Sequence, residues 1–545
     1  MSQQKIKIAL ILNGSLVPAW IYEIVKQVAQ SELAQIVLAL IPVNQVLLPA
    51  HTPVKEGFDY SFLRKYLPYD KAKYPLLPNA FAKVDVKDLI GDRLVQTDFS
   101  VESGFYSPST NALENIKRTQ ADLVISLVSP IMSRNTLPEV VYGTWHFKHG
   151  DQATENASVE GAWEFILARP ETKFSLMCRN GASNETSTLY ETYSSTDHFG
   201  IFRNRNNYLW KAPFMIVRAL RDIEAFPQRV AKLTKDLDKE VTPTGQPRNK
   251  YVFKGLFFNY FKKLLNKWDE FINFEQYILL FKFSESEILN CSFSEFTRIM
   301  PPKDRFWADP FVIKKSDAYY IFIEELIYEH GLGTIGVIKI EEDGSYGEPQ
   351  MVLEKDYHLS YPFLIEDEGI LYMVPETKND STIQLYKCVD FPLEWKLQEI
   401  IMDGVQALDT TIFLHEGKYW MFTNIKEHPG ISAYDELFLF HSDTLVDGNW
   451  IPHPKNPIVS DVRSARPAGA IFQKNGKIYR PAQNCAKRYG HGMQISEIIT
   501  LTETDYEERA VRSIFPDWAS DLRTTHTINN SDKLTVIDAL VARRK

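Results

Sequence analysis

The sequence predicts a multidomain protein: an α/β domain over residues 1–205, a helical connector over 206–285 and a five-bladed β-propeller over 286–545. Three observations carry this. The first two hundred residues alternate strand, helix and strand, the rhythm of a largely parallel sheet. A polar stretch and then an aromatic, lysine-rich helical pattern follow. From Phe306 to Val541 one message is written five times, with intervals of 52, 48, 57 and 60 residues between equivalent polar positions. That period lies in the range of radial sheet repeats.

In chain order, residues 5–12 alternate into a buried strand and Asn13-Gly14 is a turn signal. A helix is expected over Ala19–Gln30, a second strand at IVLALIPV, a helix near Ser109–Thr119 and a strand at ADLVISLV. The interleaved lysines of KIKIALILNG make it a first strand rather than a signal peptide. No apolar run reaches the roughly 20 residues that cross a bilayer. Cys178, Cys291, Cys388 and Cys485 lack paired spacing, as reduced thiols do and zinc or disulfide frames do not. A formal charge of −9 argues against a nucleic-acid partner. The expected location is cytoplasmic, with peripheral contact at the inner membrane face if the substrate is a lipid.

The segments VVYGTWHFKHGD and EGAWEFILARPETKFSLMCRNGASNETSTLYE resemble the methionyl-tRNA and sugar-nucleotide formyltransferase family. That resemblance implies a Rossmann-like fold over about residues 5–200. It also implies a cleft in which an Asn-x-His pair polarises a formyl group carried on formyl-tetrahydrofolate and an Asp orients the His. The matching positions read Thr144, His146 and Asn184. Thr supplies no carboxamide donor and Asn no charge, so only the His is kept.

The connector begins with KEVTPTGQPRNK, a linker composition. Beyond it, YVFKGLFFNYFKKLLNKWDEF places Phe257, Phe261, Leu264, Trp268 and Phe271 on one helical face, with Lys254, Lys262, Lys263 and Lys267 around it. Such a stripe either covers a neighbouring domain or lies on an anionic membrane.

Each repeat opens with a polar residue before Pro or Thr, continues as an apolar strand, turns, and returns as an aromatic strand. One hairpin cannot bury both its faces, so five must pack about an axis. The first strands then bring Asp309, Tyr361, Asp409, Arg466 and His526 to one channel. The second-strand ends supply Glu325, Glu376, Asn424, Gln483 and Asp538, and Trp307, Tyr361 and Tyr489 offer stacking faces for sugars.

FWADPF followed by ALDTTIF is similar to five-bladed arabinanase, xylosidase and fructosidase glycosidases. The resemblance implies Asp309 as base or nucleophile and Asp409 as the residue that tunes acidity. At the fourth blade the family's general-acid Glu is replaced by Arg466, in SARPAG. Phosphate leaves as a stable anion and needs cationic bidentate donors rather than an acid. The replacement, with Arg463, Arg480 and Lys487 nearby, points to a phosphate-activated sugar; the alternative is a dead site in which Arg466 pairs with Asp409. The longer pattern FWADPF, YHLSYPFLIEDEGILYMVPET, LYKCVDFPLEW, WIPHPKNPI, ARPAG and YRPAQNCAKRYGHGM resembles the N-terminal domain of plant glucosamine inositolphosphorylceramide transferases and bacterial relatives over about residues 300–510.

The expected function is glycosyl transfer in surface polysaccharide or glycolipid biosynthesis, with Asp309, Asp409 and Arg466 catalytic. Tyr361, Glu325, Glu376, Gln483, Arg480, Tyr489, His526 and Trp307 bind substrate. Expected partners are a nucleotide- or lipid-phosphate sugar and a carbohydrate or lipid acceptor. This leading reading requires no cofactor and assigns no metal ligand, and formyl-tetrahydrofolate enters only under the formyl-transfer alternative. The alternatives are a sugar N-formyltransferase working at His146 with the propeller as a carbohydrate platform, a glycosidase in which Glu325 or Glu376 supplies the missing acid, and a non-enzymatic glycan-binding scaffold.

Overall fold

The computed structural model describes residues 5–43, 61–102, 105–128, 138–150, 160–180, 186–225, 248–284 and 288–545. The chain forms two compact units, Met1–Lys262 with His428–Ile431, and Lys263–Glu427 with Ser432–Lys545.

The first unit is built on a seven-stranded sheet. Its order is Thr186–Ser195, Glu171–Arg179, Thr144–His149, Leu123–Ser126, Ile6–Ile11, Ala34–Pro42 and Leu94–Thr97. The last five run parallel, and Glu171–Arg179 runs antiparallel to both its neighbours. Because helices cover a parallel sheet, its strands read as unbroken apolar runs such as IKIALI and AQIVLALIP. The amphipathic helix Ala19–Gln30 buries Ile21, Ile24, Val25 and Val28 against the sheet core. The helices Ile201–Leu209 and Ala212–Ala225 fall in the region expected to be a connector, yet they add Tyr208, Leu209, Ile216 and Leu220 to that same core. Most of the expected linker at 239–250 lies outside the described residues.

The second unit is the propeller. Blades one to four begin with the strands Arg305–Lys315, Ser360–Asp367, Ala407–His415 and Phe472–Lys474. The last blade takes strands from both ends of the unit. Asn273–Phe283 pairs with Leu534–Arg544 from Asn273↔Arg544 through to Phe283↔Leu534. Residues 273–283, which the sequence placed in the connector, are thus a central strand. Four apolar clusters show that the ring is closed. One joins blades one, two and three through Phe322, Val374 and Met421; another joins three and four through Phe422 and Ile498. A third joins four and five through Ile495 and Ile537, and the last joins five and one through Val536 and Ile321.

The first strands of blades one to three share one defect. Pairing runs Ala308↔Glu324 then Phe311↔Phe322; Ser360↔Glu376 then Phe363↔Val374; Leu408↔Asn424 then Thr411↔Phe422. Each bulge therefore sets two residues against one and re-aims a side chain. Asp309, Tyr361 and Asp409 occupy it with φ of 49°, 45° and 48°. The following Pro or Thr costs no ladder bond there, because a bulge already leaves an amide unpaired. Left-handed backbone is tolerable for Asp and a true outlier for Tyr, so the surrounding packing enforces it.

Candidate functional site

The bulged residues meet at the axis. Asp309 accepts from the Thr527 hydroxyl at 2.7 Å and the Tyr361 backbone N–H at 3.3 Å. Asp538 Oδ2 accepts from the Asp309 N–H at 3.1 Å, and its Oδ1 accepts from the N–H groups of His526 and Thr527. His526 Nδ1 lies 2.5 Å from Asp538 Oδ2 and 3.7 Å from Asp309 Oδ1. Tyr361 is fully buried, with its hydroxyl 2.9 Å from Thr411 Oγ1 and accepting from Gly469 N–H at 2.8 Å. A Cβ on Gly469, at φ 135°, would sit 2.1 Å from the Ile528 carbonyl oxygen. Only glycine closes the ring there.

Above this floor is a cavity of about 400 Å³ lined by Asp309, Glu324, His358, Glu376, Lys378, Tyr434, Arg466, Tyr489 and His526, among others. Arg466 Nε donates to Asp409 Oδ2 at 2.5 Å and Nη2 to Asp409 Oδ1 at 3.1 Å, with Glu376 Oε2 at 3.4 Å from Nη2. Its guanidinium packs over Tyr434 and Tyr489, at 5.3 and 5.0 Å from the ring centres. Nη1 has no hydrogen-bond partner among the described residues.

These surroundings set the protonation states. Burial pushes the Asp309 carboxyl up to about 7, against the pull of His526. Burial works against a charged His526, yet Asp538 and Asp309 raise its imidazole to about 9. Burial, and then the neighbouring Asp409, push Glu376 well above the usual carboxylate range. Near neutral pH the cavity therefore holds a carboxyl poised to gain or lose a proton, Asp309, beside the cationic His526 and Arg466, with Glu376 biased toward its protonated form.

Of the residues singled out in the sequence, Asp309, Glu376, Arg466, Tyr489 and His526 line the cavity. Six assignments need correction. Glu325 points away, accepting from Trp307 Nε1 at 3.0 Å and Arg305 Nη1 at 3.2 Å; the neighbouring Glu324 lines the cavity, because adjacent strand residues face opposite sides. Trp307 is committed to that same bond and is buried, so it offers no stacking face. Arg480 is buried in the fourth blade, gripped by Glu508 at 2.7 and 2.8 Å. Gln483 Nε2 donates to Asp409 at 2.8 Å and to the Pro467 carbonyl at 2.9 Å, behind the wall. Tyr361 braces the floor rather than stacking on a ligand. Asp409 likewise acts through Arg466, since it is buried beneath the cavity wall.

Sequence reasoning missed Glu324, His358, Lys378 and Tyr434. His358 Nε2 lies 3.1 Å from Glu324 Oε1 while its Nδ1 accepts from Gly333 N–H, and the bond to Glu324 raises its pKa. A constant offset of fifteen residues from bulge to second-strand end (309 to 324, 361 to 376, 409 to 424) would have found Glu324. His358 and Lys378 sit in connections that do not repeat.

The ligand atoms of Asp309, His526 and Asp538 lie within 4.8 Å of one another, close enough to share a metal ion. His526 Nδ1 and Asp538 Oδ2 are already joined, and both Asp538 oxygens accept backbone N–H groups. The donor set therefore reads as a hydrogen-bonded triad.

In the first unit, His146 and Thr144 are buried on Thr144–His149, and His146 Nδ1 and Thr144 Oγ1 have no hydrogen-bond partner among the described residues. Burial, then Arg179, lowers His146 to about 3, so it is neutral. Asn184 lies outside the described residues.

Residues 287–529 match the family described as glucosamine inositolphosphorylceramide transferase 1, N-terminal. A relative from Arabidopsis thaliana, named glucosamine inositolphosphorylceramide transferase 1, is 36% identical over 208 residues, covering 37% of this chain and 27% of the relative. The protein of the same name from Oryza sativa subsp. japonica is 33% identical over 206 residues, with the same coverage. The chain thus spans about a quarter of the length of the curated relatives it matches. Among solved structures, a family 117 glycoside hydrolase from Zobellia galactanivorans aligns with a TM-score of 0.33 and 11% identity, over 49% of this chain and 90% of that one.

Proposed function

We propose that the propeller cavity transfers a sugar from a phosphate-activated donor to a hydroxyl of a lipid or carbohydrate acceptor, in surface polysaccharide or glycolipid assembly. The observation that carries this is that Asp309 and Arg466 line one cavity, with Arg466 Nη1 lacking a hydrogen-bond partner among the described residues. Asp309 takes the acceptor proton: burial has brought its pKa to about 7, where a base is half available yet still basic. Arg466, held flat by Asp409 and the two tyrosines, stabilises charge developing on the departing phosphate, with Lys378 beside it. Because the guanidinium is already fixed, little ordering is needed when the phosphate arrives. His526 carries a proton shared with Asp538 and keeps Asp309 from collapsing to its neutral form. The names of the matched relatives, transferases of glucosamine to inositolphosphorylceramide, support a glucosamine-type donor and a lipid acceptor bearing phosphate. The test is nucleotide release from a panel of nucleotide sugars in the presence of lipid and carbohydrate acceptors. Turnover lost in Asp309→Asn is expected, and full turnover in that variant refutes the reading.

One observation favours hydrolysis as a second reading. Glu376, whose burial favours its protonated form, lines the same cavity as Asp309 and would supply the acid that Arg466 displaced, since glycoside hydrolysis needs two carboxyl groups. Release of aryl alcohols from aryl glycosides, lost in Glu376→Gln, separates the two. For N-formyl transfer in the first unit, the supporting observation is the unpartnered Nδ1 of His146. No formyl uptake by amino-sugar nucleotides from formyl-tetrahydrofolate disposes of it.

A further inference from the structure

One face of the helix Asn249–Ile272 is exposed among the described residues. On one side Val252 joins the cluster of Leu63, Phe165 and Ile166, and Asn259 Nδ2 donates to the Phe165 carbonyl at 3.3 Å. Gly255 lies so close to the Ile166 backbone that a Cβ would come within 2.4 Å of its carbonyl oxygen. On the opposite side Phe257, Phe261, Leu264, Trp268 and Phe271 follow one another at four- and three-residue spacing, which keeps them in one stripe. Every member is exposed, Phe257 to 69%, Trp268 to 66% and Phe271 to 75%. Phe253, Phe258 and Leu265 broaden the stripe and are also exposed. An aromatic surface of this size in water is costly and marks a contact.

Charge selects the contact. Between Asn249 and Trp268 the helix carries five lysines and no acidic residue, in a chain whose net charge is −9. At 100° per residue, Lys262 falls on one flank of the stripe and Lys263 and Lys267 on the other. A protein partner needs a shaped and mixed surface, whereas a bilayer interface takes aromatic rings to the level of the headgroups and lysines to anionic phosphates. The helix is 24 residues long, about 36 Å, enough to lie along a membrane. Among the described residues no helix is long and apolar enough to cross one.

We propose that this helix docks the protein on an anionic membrane surface, with Phe257, Phe261, Leu264, Trp268 and Phe271 in the interface and Lys262, Lys263 and Lys267 on lipid phosphates. The inference stands apart from the propeller chemistry: it concerns binding and needs no turnover.

Flotation of the full chain with phosphatidylcholine vesicles, with and without phosphatidylglycerol, tests it. The wild type floats with the anionic vesicles only, and added salt releases it. The variant Phe257→Ser/Trp268→Ser/Phe271→Ser loses at least tenfold in bound fraction. Lys262→Glu/Lys263→Glu/Lys267→Glu loses on the order of a hundredfold or more. Five of these positions are exposed and Lys263 is half-buried, and circular dichroism and melting at wild-type values check that both variants fold. Asp309→Asn floats like the wild type, which keeps this result separate from the activity assay. Wild type that stays unbound, variants that float unchanged, or equal flotation on phosphatidylcholine alone each overturn the proposal. So does a wild-type dimer by light scattering that the triple serine variant abolishes, since the face would then be an interface between copies.

Discussion

Arg466 holds Asp409 by two hydrogen bonds, Nε to Oδ2 and Nη2 to Oδ1, while its Nη1 has no hydrogen-bond partner among the described residues. A buried pair of this kind contributes little net stability over an apolar pair, yet breaking one partner costs about 3–5 kcal/mol. Arg466→Ala is therefore expected to lower stability by about that amount, read by urea titration, and to abolish turnover. The double variant Asp409→Asn/Arg466→Met recovers most of the stability and none of the turnover. A double variant that stays as unstable as the single one would show that the pair is not what the Arg466 side chain supplies.

Asp309→Asn keeps the acceptor oxygen for Thr527 or Tyr361 and removes the base. Turnover is expected to fall about 10²- to 10⁴-fold with the melting temperature nearly unchanged. In the wild type, kcat/KM rises with pH through an apparent value near 7, where Asp309 ionises. An acid limb unaffected by Asp309→Asn would assign that ionisation elsewhere.

Stability also carries a pH signature. His526 has a folded-state value of about 9, above an unfolded value near 6.5. Its contribution is fully present below 6.5 and fades as pH rises through 9. Asp309 reverses the usual carboxylate behaviour: its value of about 7 exceeds the unfolded one near 3.9, so folding favours its protonated form and stability falls between roughly pH 4 and 7. Melting temperature should decline from pH 7 to 9, and His526→Gln should flatten that slope.

Glu324 and Glu325 are adjacent and should behave as opposites. Glu324→Gln loses the charge that holds His358 at the cavity edge, and turnover drops. Glu325→Gln weakens the bonds to Trp307 and Arg305, which costs a little stability and spares turnover. The reverse pattern in paired kinetic and melting measurements would contradict the register.

The ring was legible because its repeat is physical. Asp309, Tyr361 and Asp409 precede Pro or Thr for one reason, a bulge that turns a side chain to the axis, and that reason leaves a mark at each of the first three copies. Arg466 stood out as a departure from the same mark. The errors at Glu325 and Trp307 are slips of one residue, where alternation along a strand exchanges the cavity for the far side. Arg480 was read by proximity in sequence, which says nothing about which side of a blade a side chain leaves, and Gln483 was read as a strand end, which does not show that Asp409 and the Pro467 carbonyl occupy its amide. His358 and Lys378 were invisible because they sit on connections particular to one blade. The strand Asn273–Phe283 was read with the helix before it, since its partner Leu534–Arg544 lies at the other end of the unit.

The central claim is tested most directly by a crystal structure of the full chain with a nucleotide sugar such as UDP-N-acetylglucosamine. A phosphate on Nη1 of Arg466, with the sugar between Tyr489 and Asp309, is the predicted result. Nucleotide sugar bound only in the first unit, with the propeller cavity empty at saturating ligand, would contradict it.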